Sequence, residues 1–214
     1  GVTGEKTKTA TVHTRPEPKP AAGGKTYHVY PPGFKGQMQE PGFVGLMAAY
    51  NTGSGGSDHT DAYVPRVQPG DTIMVHAGLY KDCREPYGGC GRGQGTAFDN
   101  TYFLTQSGTP EKPIVIKAAG DGDVIFDGDA NGILFDVTGA NYNYFEGVTF
   151  RNTDIAILTA RKGVIGSSGL TVKHCRFEKV GRGVHGNFSG SKDEYIADNV
   201  FIGRRDPNLL LSWI

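Results

Sequence analysis

Several things that a sequence of this length often has are scarce here, and each shortage removes a class of protein. Net charge is absent, because 22 Lys and Arg balance 22 Asp and Glu. A balanced chain carries no electrostatic footprint for nucleic acid or an anionic membrane. No apolar run approaches the roughly 20 residues needed to span a bilayer, so no membrane-spanning helix is expected. Hydrophobic residues reach only 37%, which is poor for a helical bundle. The chain opens at Gly1 without a charged and apolar leader. The expectation is that any signal peptide has already been removed. Cysteine is rare at three. Cys83 and Cys90 flank "REPYGG", a turn-rich loop that a disulfide would close. Such a bridge favours an exported protein. A zinc site built on the same pair is disfavoured, since the six-residue gap is loose for that metal. Cys175 lies in a strand-like run and reads as a small core residue.

Glycine, by contrast, is abundant at 33 residues, as suits many tight turns between short buried strands. Residues 1–24 have almost no apolar side chains and read as a flexible or edge-lying leader. Residues 25–70 follow as a unit. "KTYHVY" is the first strand, and "PGFVGLMAAYN" puts Phe43, Leu46, Met47 and Tyr50 at helical spacing behind Pro41. From Asp71 to Ile214 short strands alternate with Gly, Asn, Asp or Pro breaks.

That region is periodic. "YFEGVTFRN" (144–152), "TVKHCRFEK" (171–179) and "YIADNVFIG" (195–203) superpose, which aligns Phe150, Phe177 and Phe201 as well as Phe145, Val172 and Ile196. Each segment reads as strand, kink (Gly147, His174, Asp198-Asn199) and strand. A third strand follows each: 154–158, 183–187 and 208–213. The same grammar runs backward through "TIMV", "LYKD" and 101–106, then "PIVIK", "DVIFDG" and 132–137. Three short strands per repeat describe the sides of a solenoid coil, whose apolar face becomes a core only when coils stack.

"VQPGDTIMVHAGLYKD…SGTPEKPIVIKAAGDGDVIFDG", preceded by the "YHVYPPG" strand and the "FVGLMAAYN" helix, resembles the pectate-lyase-like superfamily over about residues 25–214. The resemblance implies an all-β fold, a right-handed parallel β-helix of three-strand coils with a short N-terminal capping helix. It implies little about the reaction, because that superfamily hosts lyases, hydrolases, esterases and non-catalytic adhesins.

In that family one strand of each coil builds a sugar-binding groove. Carried over, the groove strands are 101–106, 132–137, 154–158, 183–187 and 208–213. Alternation turns Ile133, Phe135, Ile155, Ile157 and Val184 inward and presents Asp136, Asp154, His185 and Asn187 outward. Arg182 stands at the groove edge. The loop carrying Arg84, Tyr87 and Arg92 forms a wall able to stack on sugars or pair with uronate carboxylates.

"NTD" at 152–154 invites comparison with polygalacturonases, but the paired aspartates expected one coil later are replaced by "VGRGVHG". Asp136 and Asp154 also fall about 14 Å apart by strand and coil spacing. An inverting pair wants about 6.5–9.5 Å. β-Elimination needs a cation to neutralise the uronate carboxylate and a base for the C5 proton. Arg182 and His185 are the candidates. Asp127 and Asp129 offer oxygens to Ca²⁺, although "DGDGDVIFDGDANG" is first of all turn chemistry.

These residues point to a secreted or cell-surface protein acting on polysaccharide, with a uronate-glycan lyase as the leading expectation. A non-catalytic structural, filament-forming or glycan-binding solenoid is the alternative. A glycoside hydrolase with its carboxylates outside this chain is another. The apolar "NLLLSWI" strand leads to the expectation that the coils continue beyond Ile214, or that the open end self-associates.

Overall fold

The computed structural model describes residues 9–11, 16–52, 64–81, 100–161, 163, 166–186 and 188–203. The elements in chain order are β1 (Thr26–Tyr30), β2 (Gly42–Val44), α1 (Leu46–Tyr50), β3 (Thr72–Val75), β4 (Gly78–Tyr80) and β5 (Tyr102–Phe103). There follow β6 (Ile114–Ala118), β7 (Val124–Asp136), β8 (Asn143–Glu146), β9 (Thr149–Ala160), β10 (Thr171–Lys173), β11 (Arg176–Gly186), β12 (Tyr195–Ala197) and β13 (Val200–Gly203). The described protein is thus all-β apart from one five-residue helix.

Named strand pairs are all parallel. They form two sheets, ordered β12-β10-β8-β6-β3-β1-β2 and β13-β11-β9-β7-β4, with β5 beside β7. Neither sheet closes. From β3 onward the chain leaves one strand in the first sheet, turns, and leaves the next in the second, with β5 an added strand of the second. Strands adjacent in a sheet are therefore one repeat apart in sequence.

The turns explain the spacing. Gly147, His174 and Asp198, at the kinks, all have positive φ (71°, 53° and 55°). Each separates a strand of the first sheet from one of the second. Further along, the expected third strands do not stand alone. They are the distal arms of β7, β9 and β11, bent at Asp129-Ala130, Asn152 and Lys179, which also have positive φ. After Gly, short Asp and Asn side chains tolerate that conformation best, as at Asp129 and Asn152. At the last corner Asn199 Oδ1 accepts the Cys175 N–H at 2.8 Å, and its Nδ2 donates to Val172 O at 2.8 Å. Asn199 is a corner residue that satisfies backbone one coil earlier.

The repeat also builds the core. Phe150 pairs in register with Phe177, and Phe177 with Phe201. Their rings stack at 4.9 and 4.5 Å. Phe145, Val172 and Ile196 align likewise. Tyr102, Phe126 and Phe135 extend the aromatic column toward the N-terminal end. Cys175 is buried among these residues, and burial pushes its thiol up to about 12. It is an inert core group.

One expectation for the N-terminal region needs correction. The helix is only Leu46–Tyr50, and Phe43 belongs to β2 instead, where it sits opposite Val29 of β1. Strand pairing along the open edge of β1 outweighs helical spacing there. Described residues of the leader touch strands of the first sheet and the turn before it. Glu17 forms an ion pair with Lys173 of β10, while the Lys25 N–H donates to Asp71 Oδ1. Gly24 passes so close to Gly70 that a Cβ on Gly24 would lie 1.9 Å from the Gly70 carbonyl oxygen.

No helix among the described residues is long and apolar enough to cross a membrane.

Candidate functional site

The distal arms of β7, β9 and β11 carry the candidate groove residues. Ile133 pairs with Ile155 and Ile155 with Arg182; Asp136 pairs with Leu158 and Leu158 with His185. The first of these registers matches the alternation in the sequence. The second shifts the fourth coil by two residues, because Arg182 and not Val184 faces Ile155. Simple alternation also fails locally. Leu134 and Phe135 both join the central core, whereas Ile133, Ile155 and Leu158 form a separate apolar cluster.

Arg182 and His185 therefore occupy positions in register with that second cluster, and both are partly exposed. Asp154 immediately precedes Ile155 and is also partly exposed. The three form one electrostatic group. Burial and then the Arg182 charge hold His185 below its ordinary value, with Asp154 pulling the other way. A neutral imidazole beside a guanidinium is the combination that a base next to an anion-binding group requires.

Asp136 behaves differently. It is fully buried. Its Oδ1 accepts the Thr138 N–H at 2.8 Å, and Arg161 Nε lies 3.7 Å from its Oδ2. The outward, substrate-facing role read from alternation is therefore corrected: Asp136 anchors a turn and an arginine. It shares a column with His185, but two strand spacings separate them, about 10 Å. Sequence reasoning passed over Arg161 and Phe103, whose ring lies 5.3 Å beneath the guanidinium carbon. Nothing local marks Arg161, because its partners come from earlier coils.

Asp127 and Asp129, the candidate calcium carboxylates, are both engaged by other donors. Asp127 Oδ1 accepts the Asp129 N–H at 2.9 Å, and its Oδ2 accepts from Arg151 Nε and Asn152 Nδ2, each at 2.9 Å. Asp129 Oδ1 accepts from Lys81 Nζ at 2.8 Å. Turn and ion-pair chemistry accounts for both carboxylates. Among the described residues no three His, Cys, Asp or Glu gather as metal ligands.

The Asp127 carboxyl carries a pH signature. Burial alone would raise it, but the Asp129 N–H, Arg151 and Asn152 outweigh that and hold it below the ordinary value. A depressed folded value means that the contribution is complete above the unfolded value, about pH 4, and is lost as pH falls through the folded one. Asp127→Asn is expected to destabilise the protein at neutral pH, with the deficit shrinking below about pH 4. Urea midpoints of both proteins measured from neutral to acid check this; a constant deficit across the range contradicts it.

Cys83, Cys90, Arg84, Tyr87, Arg92, Asn187 and the 208–213 strand lie outside the described residues.

Comparison with protein-family models, curated proteins and solved structures gives no match. Any functional reading therefore rests on the geometry alone.

Proposed function

We propose that this chain is a right-handed parallel β-helix which cleaves a uronate-containing polysaccharide outside the cell by β-elimination. The alternating placement of strands in two parallel sheets supports the solenoid, and crossovers between parallel strands in one sheet are right-handed in about 98% of cases. The single observation that carries the reaction is the Asp154–Arg182–His185 group, in which His185 is kept neutral beside a cation.

The chemistry is as follows. Arg182 pairs with the uronate carboxylate and so acidifies the proton on C5. His185 removes that proton. The C5–H electron pair forms the C4–C5 double bond, the C4–O bond breaks, and the departing glycosidic oxygen takes up a proton. Asp154 supports the imidazolium that His185 becomes. Phe103 and Arg161 offer a neighbouring surface for sugar stacking or a second carboxylate.

The experiment is incubation with a panel of polyuronates and glycosaminoglycans, followed by ultraviolet absorbance of the product. New absorbance from an unsaturated uronate supports the reading. Reducing ends without it indicate hydrolysis, and neither indicates a binding or structural protein. One observation favours that structural alternative. Ile196, Val200, Phe201 and Ile202 are exposed along the β12 and β13 edges, and an uncovered parallel edge is a template for association.

A further inference from the structure

The N-terminal end of the molecule holds a group of side chains that the groove does not use. β1 lies between β2 and β3, with His28 opposite Gly42 on one side and Met74 on the other. In-register residues of neighbouring strands share a face of the sheet, so Met74 stands beside His28. Gly42 has no side chain, and Met38 takes its place in the row. A Cβ on Gly42 would lie 3.6 Å from Met38 Sδ. The row reads thioether, imidazole, thioether, and all three residues are partly buried. Two of the three methionines in the chain thus flank one histidine.

His28 is also oriented from behind. Its Nδ1 lies 3.0 Å from His76 Nε2, and His76 Nδ1 lies 2.6 Å from Asp121 Oδ2. Asp121 Oδ1 accepts the Ala77 N–H at 2.9 Å. Tyr30 stacks on His76 at 4.2 Å with the rings 5° from parallel. Burial would raise the Asp121 carboxyl, but its bonds to His76 and Ala77 hold it below the ordinary value. It is a carboxylate at neutral pH and can only accept.

His76 Nδ1 faces Asp121 and its Nε2 faces His28 Nδ1. That leaves Nε2 as the ring nitrogen of His28 turned away from His76. A carboxylate acting through imidazole in this way fixes the tautomer and orientation of metal-ligating histidines. The two facing nitrogens are not themselves an ion site. Their ring centroids lie 5.3 Å apart, which places the rings nearly head to head, as in a hydrogen bond.

We infer that His28 Nε2, with the thioethers of Met38 and Met74, forms a site for a soft monovalent metal ion, Cu(I). Thioether and imidazole ligands select Cu(I), whereas carboxylate and carbonyl oxygens suit Ca²⁺ and Mg²⁺. The row contributes no anionic ligand, which fits a single positive charge better than a double one. Lys117, next in the row beyond Met74, has Glu146 as its own register partner.

The test is an anaerobic titration of the whole chain with Cu(I) against a chromophoric Cu(I) chelator. One equivalent held by the parent protein is expected. Binding should be lost in His28→Gln, and weakened at least 10-fold in the double variant Met38→Leu, Met74→Leu. Asp121→Asn should weaken it about 10–100-fold, as loss of an outer-shell partner does. Circular dichroism establishes that each variant is folded. If His28→Gln does not fold, the leucine double variant decides, because Met-to-Leu swaps preserve volume and are well tolerated. The proposal is overturned if the chelator removes all Cu(I) from the parent, or if the double variant binds as tightly as the parent.

Discussion

His185→Asn is expected to slow formation of unsaturated product by about 10²–10⁴-fold, the range that a positioned general base contributes. The imidazole lies on the same arm of β11 as Arg182 and feels both Arg182 and Asp154. Burial and the guanidinium keep it neutral, and a base must be neutral to take a proton. The rate should therefore rise with pH through a group titrating below the ordinary imidazole value, and that limb should vanish in the variant. Arg182→Lys keeps the charge but loses the planar fork that clasps a carboxylate, so its loss should fall largely on KM. If His185→Asn retains the parental rate on a substrate from which the parent releases unsaturated product, the base is another residue. If the parent releases none from any polyuronate, the lyase reading itself fails.

Much of the fold was legible because the repeat is carried by large aromatic side chains. Phe150, Phe177 and Phe201 recur after 27 and 24 residues, and the structure pairs them in that register. The corners were legible at Gly147, His174 and Asp198 for a related reason. Left-handed backbone restricts the choice of residue, so a Gly or a short polar side chain marks the place at Gly147 and Asp198, and His174 follows from its alignment with them. The distal arms were harder. The 27-residue step, continued from Phe150 to Ile155, puts Arg182 opposite Ile155, as found. In–out alternation instead favoured Val184, because it assumes a regular pleat that the Lys179 corner interrupts. Asp136 and Asp127 read as free carboxylates because their partners, Arg161, Arg151 and Asn152, lie 24 or 25 residues away. Only the coil pairing brings them together. The same holds for His28, Met74, His76 and Asp121, which no local pattern connects.

The aromatic column also sets the largest expected loss of stability. Phe150 is fully buried, touching Phe135, Phe145 and Phe177 at ring separations of 5.5, 5.7 and 4.9 Å. Removing it leaves a cavity between the third and fourth coils that stacked neighbours cannot fill without moving both sheets. Phe150→Ala should cost about 3–5 kcal/mol. For a chain of this size that lowers Tm by about 6–20 °C. Phe201 occupies the same place in the repeat and stacks on Phe177 at 4.5 Å, yet it is 56% exposed. Phe201→Ala forfeits one stacking partner and little burial, about 0.5–1.5 kcal/mol. Urea denaturation of both variants separates burial from repeat position. Equal losses would mean that Phe201 is covered in solution, and sedimentation of the parent protein would then show whether a second copy covers it. Unequal losses in the expected order would show that the aromatic column stabilises the two sheets where neighbouring strands bury it on both sides and adds little at Phe201, where it is exposed.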